Sequence, residues 1–324
     1  MLDFEKAQQI VNSELESYSF PGFPAELYDP VRYILSLEGK RVRSALALMA
    51  CSIFSDAVHQ AVKPALAFEV FHNFTLLHDD IMDNSPIRRG EQTVHEKWNP
   101  NTAILSGDVM SILSYRILSE SEDEHIRDLI EVFTTTALQV CEGQQLDINF
   151  ESRTNVSVDE YLKMVELKTA VLVAASLKAG AITGGAGPLE SDLLYEFGRN
   201  LGIAFQIRDD YLDVFGDSKA FGKKIGNDIL ANKKTFLLIG ALEQTEGKVH
   251  DELEGWLIKQ DFDPDEKIKR VTEIFKNIGF DRISSDLASS YYEKALQYLE
   301  RINVPSERKL PLAGFAKNLM ERDQ

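Results

Sequence analysis

The segment Phe71–Asp83, FHNFTLLHDDIMD, decides the fold class. Its apolar residues recur at three- and four-residue steps, the period of a helix with a buried face. It ends in Asp79-Asp80-Ile81-Met82-Asp83, and the Asp-Asp-x-x-Asp spacing returns at Asp209-Asp210-Tyr211-Leu212-Asp213, inside the helix-period run Leu201–Phe215. On a helix the first and last aspartates of each copy stack on one face. Like charges at that spacing destabilise a bare helix, so two such clusters in apolar sequence require a compensating cation. Oxygen ligands without Cys or His partners suit magnesium, which completes its shell with water and substrate phosphate. Ions held between two facing helices are the simplest arrangement this pattern predicts.

Helical periodicity continues outward from these two runs. It covers Phe4–Tyr18, Arg43–Phe54, Ala61–Met82, Thr102–Leu118, Ile126–Phe150, Val158–Thr183, Ser191–Phe215, Phe236–Glu243 and Ile283–Ile302. No run joins strand alternation to hairpin turn chemistry, so the chain reads as all-α. Several helices are apolar around most of their circumference, which places them centrally in a bundle. Loops are expected at Pro21–Pro30, Asn84–Gly90, Gly184–Pro188 and Gly216–Lys234. No low-complexity linker or compositional break interrupts 1–324, which favours one domain.

A net charge of −17 excludes the broad basic surface that non-specific nucleic-acid binding needs. Against that acidity the basic clusters stand out: Lys40-Arg41-Val42-Arg43, Arg88-Arg89, and Lys223-Lys224 with Lys233-Lys234. Cys51 and Cys141 lie far apart in apolar sequence and read as free buried thiols of a reducing compartment. The start, MLDFEKAQQI, lacks a basic residue group followed by an apolar run, so a cytoplasmic protein is expected. The most apolar stretch, Val171–Gly187, is interrupted by Lys178 and glycines and is too short to span a bilayer.

Each acidic cluster has basic followers. Asn84-Ser85-Pro86-Ile87-Arg88-Arg89-Gly90 ends the first helix and sets two guanidinium groups just beyond the carboxylates. Arginine forks match phosphate oxygens, so acids with metal beside arginines describe a diphosphate clamp; a dipole-neutralising helix end is the plain alternative. After the second cluster, lysines on a glycine-bearing loop suit a lid over phosphates, or simply a solvated charged loop. Lys40 and Arg43 follow Gly39 at a helix start that favours anions. Gly143-Gln144-Gln145-Leu146-Asp147 and Lys168-Thr169 add polar groups within apolar helices, where satisfied core pairs are also common.

Together these residues resemble the trans-isoprenyl diphosphate synthase (polyprenyl synthetase) family from about Gly39 to Lys233. The first family motif, with its trailing Arg-Arg-Gly, is Asp79–Gly90, and the second, with its leading Phe-Gln, is Phe205–Asp213. The resemblance implies three magnesium ions held mainly by Asp79, Asp83 and Asp209, with Asp80, Asp210 and Asp213 in support. It aligns Arg88, Lys168, Lys224 and Lys233 with the allylic diphosphate, and Lys40, Arg43, His72 and Arg89 with isopentenyl diphosphate. Thr169 and Gln206 match polar positions near the reacting carbons, and Gln144 and Asp147 match a Gly-Gln-x-x-Asp element. The implied activity is head-to-tail condensation of isopentenyl diphosphate with an allylic diphosphate by a helical-bundle homodimer.

Product length is expected to depend on the residues before Asp79 on its helix, namely Thr75, Phe74 and Phe71. Phe74 resembles the bulky floor of short-chain members, which favours a twenty-carbon product, with fifteen carbons next. Core packing is the alternative role for Phe71 and Phe74. A class I terpene cyclase shares the first cluster but does not need the Lys40, Arg43 and Arg89 set. A non-catalytic subunit is disfavoured by two intact aspartate motifs.

Overall fold

A computed structural model describes residues 2–216 and 225–321, so Lys223 and Lys224 lie outside the described residues. The helices that matter for the site are α1 (Phe4–Ser17), α2 (Ala25–Ser36), α3 (Val42–Phe54), α4 (Val62–Met82), α5 (Val94–Lys97), α6 (Pro100–Leu118), α7 (Ile126–Glu151), α8 (Val158–Val165), α9 (Val171–Thr183) and α10 (Pro188–Phe215). Further helices span Asn227–Leu230, Phe236–Gln244, Gly247–Ile258, Pro264–Asn277, Phe280–Glu300 and Ser306–Met320. The all-α expectation is met. Contacts divide the chain into two compact units, one of Met1–Thr135, Ala175–Tyr195 and Ile302–Leu312, the other of Thr136–Ala174, Glu196–Arg301 and Ala313–Gln324.

In the first unit the helix starts are written in the sequence. Asp3 accepts the Lys6 N–H at 2.9 Å, and Asn99 accepts that of Thr102 at 2.9 Å just before Pro100. Both satisfy donors that a helix N-terminus leaves unpaired. From Ser44 to Ile53 every residue of α3 is buried, as its apolar sequence requires, and it packs on α1 and α4. The α9 backbone comes so close to α3 that a Cβ at Gly180 would stand 1.9 Å from the Ala47 carbonyl oxygen. Only glycine permits that approach.

The helix α2 corrects the loop expected at Pro21–Pro30. It begins at Ala25 and carries Pro30 in its interior, at a cost of about 3 kcal/mol relative to alanine. Burial of Pro30, Val31, Ile34 and Leu35, with α2 packed on α6, offsets it. A second correction is a two-residue antiparallel ladder, Ile87–Arg88 with Glu91–Gln92. Its turn residues Arg89 and Gly90 both have positive φ, 55° and 83°, which is the type I′ geometry that hairpins favour.

The second unit is organised around Phe150, Tyr161, Ile207, Phe236, Leu253 and Phe280. A Ser157–Glu160 capping box starts α8, and α8 packs on Phe236–Gln244, which in turn packs on Phe280–Glu300. Between α8 and α9 the expected unbroken helix Val158–Thr183 contains a π-helical turn, Glu166–Ala170. Cys51 is buried and Cys141 is exposed, and both are free. The expectation of two buried thiols therefore fails at Cys141, which shares the solvent side of α7 with Glu142. Among the described residues no helix is long and apolar enough to cross a membrane.

Candidate active site

In the first unit α4 runs 21 residues and delivers its acids at its C-terminal end. Asp79 and Asp80 fall in the last turn and Asp83 is the C-cap, its N–H donating to the Asp79 carbonyl at 2.9 Å. The C-terminus is the negative pole of the helix dipole, so three carboxylates there are doubly unfavourable without a cation. The three have different surroundings. Asp83 is exposed and Asp79 half-buried, whereas Asp80 is only 2% exposed. Arg88 grips Asp80 through Nε at 2.8 and 2.9 Å and through Nη2 at 2.7 Å. Burial raises the Asp80 pKa in spite of that guanidinium. Asp80 is thus an anchor for Arg88, while Asp79 and Asp83 flank it toward solvent.

The hairpin that carries Arg88 and Arg89 brings the second guanidinium onto Gly39, where a Cβ would lie 2.9 Å from the Arg89 Cζ. Arg43 Nη1 lies 3.0 Å from His72 Nε2. Burial, then the Arg43, Arg89, Arg88 and Arg41 charges, hold the His72 pKa well below its ordinary value. His72 is therefore neutral, accepts at Nε2 from Arg43 and carries its proton on Nδ1. Burial pushes Arg43 down to about 10, Arg89 adds to the shift, and the Arg43 Nε has no hydrogen-bond partner. Crowded cations with an unused buried donor are a charge arrangement that an anion would relieve. Lys40 precedes this cluster on the chain but does not open α3 as expected. The helix begins at Val42, after Arg41 in the left-handed conformation.

In the second unit a cavity of about 60 Å³ is lined by Asp147, Lys168, Thr169, Gln206, Asp210 and Lys233, together with Tyr161. Sequence reading had singled out the first six. The π turn presents Lys168 and Thr169 there, and it is clamped on two sides by glycines. A Cβ at Gly143 of α7 would stand 2.3 Å from the Lys168 backbone nitrogen, and one at Gly202 of α10 would stand 2.7 Å from Ala170 Cα. One turn beyond Gly143, Asp147 accepts a 2.6 Å bond from Lys168 Nζ. Gln144 lies on the same helix but does not line the cavity.

The second motif repeats the division seen in the first. Asp209 is exposed, and Asp210 is 2% exposed with both oxygens engaged. Tyr161 Oη donates to Oδ2 in a short hydrogen bond, and Gln206 Nε2 donates to Oδ1 at 3.0 Å. Gln206 in turn offers its Oε1 to the Thr169 hydroxyl at 3.4 Å. Burial raises the Asp210 pKa to about 6 even though Lys233 and Tyr161 oppose it. Asp213 accepts the Asp228 N–H at 2.9 Å, which ties α10 to the segment that carries Lys233. Burial disfavours the Lys233 ammonium, but Asp228, Asp210, Asp147 and Asp209 outweigh it and raise its pKa. Lys224 lies outside the described residues.

Sequence reading missed Tyr161, Glu69 and Asn73. Glu69 had one visible signal, a charge inside the apolar run Pro64–Phe71. Tyr161 had none. Among the described residues, three potential ligand atoms lie within 4.8 Å of one another at Glu122, Glu124 and His125 on an exposed turn, and not at the motifs. Exposed or half-buried carboxylates at Asp79, Asp83 and Asp209, with no Cys or His within either motif, are the oxygen donors that magnesium takes, its shell keeping positions for water and phosphate.

Comparison with known proteins agrees with this geometry. Residues 24–275, which run through both compact units, match the polyprenyl synthetase family model. A short chain isoprenyl diphosphate synthase of Methanothermobacter thermautotrophicus is 36% identical over 93% of this chain and 91% of that protein. A geranylgeranyl diphosphate synthase of Methanosarcina mazei is 44% identical over 68% of this chain and 69% of its own length. A crystal structure of a geranylgeranyl pyrophosphate synthase superposes with a TM-score of 0.95 at 44% identity and covers 100% of both chains. Another, from Corynebacterium glutamicum with isoprenyl diphosphate and magnesium, gives 0.86 at 28% identity over 99% of this chain and 100% of that one. The chain belongs to the polyprenyl synthetase family and is a prenyltransferase of the trans-isoprenyl diphosphate synthase type.

Proposed function

We propose that this prenyltransferase condenses isopentenyl diphosphate with allylic diphosphates to give a twenty-carbon isoprenyl diphosphate. The observation that carries this reading is the coexistence of two aspartate motifs with a cluster of Arg43, Arg89 and neutral His72 that offers donors and no carboxylate. One diphosphate needs metal because it must leave; the other only has to be held. Asp79 and Asp83, and Asp209 and Asp213, are the carboxylates suited to hold divalent metal, and three ions is the number we propose. When bound, magnesium supplies positive charge to the departing diphosphate.

The residues of the chain do the rest. As the allylic C–O bond breaks, negative charge grows on the leaving diphosphate, and Arg88, Lys168 and Lys233 are the cations assigned to it. The isopentenyl double bond attacks the resulting carbocation and forms the new C–C bond. That bond leaves a tertiary carbocation in the isopentenyl unit; the carbon adjacent to this cation loses a proton to the released diphosphate and its C–H electrons form the new double bond, so no side chain has to act as a general base. Thr169 and Gln206 present neutral dipoles toward the reacting carbons, oriented by the Tyr161–Asp210 pair. Tyr161→Phe should therefore lower kcat by about tenfold, the worth of one buried hydrogen bond to a charged group, with the magnesium requirement unchanged. A kcat within twofold of wild type would show that Asp210 and Gln206 align without it.

We further propose a cytoplasmic homodimer in which 1–324 acts as one catalytic domain. Ile104, Leu105 and Ile112 are 43%, 58% and 68% exposed on α6, a density of apolar surface that a second copy would cover. Purified protein given isopentenyl diphosphate with dimethylallyl, geranyl or farnesyl diphosphate should yield a twenty-carbon diphosphate by mass spectrometry and a dimer by light scattering. Hydrocarbon formed from a prenyl diphosphate alone would sink the condensation reading, and a monomeric mass would sink the dimer.

A further inference from the structure

A buried carboxylate, Glu69, lies behind the proposed isopentenyl diphosphate cluster and touches none of the surface that a substrate could reach. It is 1% exposed, in the middle of α4, between apolar neighbours. Its Oε1 accepts from Arg41 Nη1 at 3.0 Å and from Asn73 Nδ2 at 3.1 Å, and its Oε2 from the Ser44 hydroxyl at 2.8 Å. A buried charge of this kind costs several kcal/mol unless it is paired and hydrogen-bonded, and this one is both.

Arg41 explains what the carboxylate is for. It sits between Lys40 and Arg43, but its own guanidinium faces inward. Nη2 donates to the carbonyls of Leu35 and Leu37 at 2.7 and 3.1 Å, and Nε to Asn12 at 3.2 Å. Its backbone has φ 48° and ψ 37°, the left-handed conformation, which costs an L-residue about 1–2 kcal/mol. Strain of that size persists only where surrounding contacts over-determine it. Here the inward guanidinium holds the strained turn, and Glu69 is its counter-charge. The same carboxylate holds the Asn73 amide, whose Oδ1 lies 3.5 Å from Arg89 Nη1, and Arg89 also has positive φ. Two strained basic residues on either side of one cluster thus converge on a single buried acid.

We propose that Glu69 is a positioning residue for the second diphosphate: through Arg41 it fixes the turn that sets Lys40 and Arg43, and through Asn73 it steadies Arg89. The inference rests on the reading of this cluster as the isopentenyl diphosphate site. Residues that repel one another must be pre-placed if an anion is to bind without first dragging them together. Glu69 does this without spending its own charge on the ligand.

The test is a split between two Michaelis constants. Glu69→Gln keeps the side-chain shape but removes the charge opposite Arg41. It should raise KM for isopentenyl diphosphate by about tenfold or more and leave KM for the allylic diphosphate within about twofold. Ser44→Ala removes one hydrogen bond and leaves no buried charge unpaired, so it should fold normally and raise the same constant by about threefold. Should Glu69→Gln fail to fold, Ser44→Ala decides alone. An unchanged isopentenyl KM in a folded variant, or an equal rise in both constants, overturns the role of Glu69. Wild-type enzyme that condenses nothing in the same assay would instead overturn the assignment of the cluster.

Discussion

Asp79→Asn and Asp209→Asn should each lower kcat for condensation by about 10³-fold or more, and chelation of the wild type should abolish it reversibly. The expectation follows from the unequal surroundings of five chemically identical acids. Asp80 and Asp210 are each 2% exposed and are already engaged, by Arg88 in one motif and by Tyr161 and Gln206 in the other. A carboxylate whose oxygens serve as protein anchors has little left to offer an ion. Asp83 and Asp209 are exposed and Asp79 is half-buried, and all three sit near the negative ends of their helices, where a divalent cation relieves both mutual repulsion and the dipole. Removing one of these ligands forfeits several kcal/mol of charge stabilisation on a leaving diphosphate, which is a factor of thousands in rate. Asp80→Asn is a different experiment. It weakens the grip on Arg88, so its loss should be smaller and should not respond to added magnesium. Steady-state rates across a magnesium titration distinguish the two patterns. Asp79→Asn retaining more than a tenth of wild-type kcat would show that the acids are structural.

This distinction between anchors and ligands was not legible in the sequence, although the motifs were. Helical periodicity marked α4 and α10 because each buries a broad apolar face, and the position of the acids within them followed from spacing alone. What spacing cannot supply is the partner. Tyr161 reaches Asp210 across 49 positions and Arg41 reaches Glu69 across 28, so each pair exists only once the chain has folded. Elements were missed for related reasons. Pro30 argued against α2 locally, and tertiary burial overrode it. Pro264–Asn277 buries Lys267, Val271, Ile274 and Phe275 and is otherwise charged, so its apolar stripe is too narrow to dominate the sequence. The two-residue ladder at Ile87–Gln92 is too short to show alternation, and its one signal was the Arg-Gly turn. The π turn at Glu166–Ala170 widens a single helical turn, a change of register too small for apolar residues at three- and four-residue steps to reveal.

Phe74→Ala should lengthen the product beyond twenty carbons, to twenty-five or more, while leaving the first condensation intact. The proposed floor is built in depth. Phe74 is half-buried, with its ring 5.3 Å from Phe71 behind it and 4.8 Å from His78 on the side of Asp79. Phe71 is 2% exposed and braced edge-on by Phe133 at 5.2 Å, which is itself wedged between Phe68 and Tyr115 at 5.1 and 4.9 Å. Stacked rings of this kind interdigitate without slack, so Phe74 cannot retreat to admit another isoprene unit. Thr75 is a weaker candidate, because its hydroxyl is turned back onto the His72 carbonyl at 2.8 Å and its side chain is small. The two phenylalanines should therefore behave differently. Phe71→Ala opens a cavity in the core and should cost about 3–5 kcal/mol of stability, seen as a lower Tm, with little change in product. Phe74→Ala removes a ring that is already partly accessible, so stability should change less and chain length more. Mass spectrometry of products from both variants, with Tm measured alongside, separates floor from core. An unchanged product from Phe74→Ala would remove Phe74 as the floor.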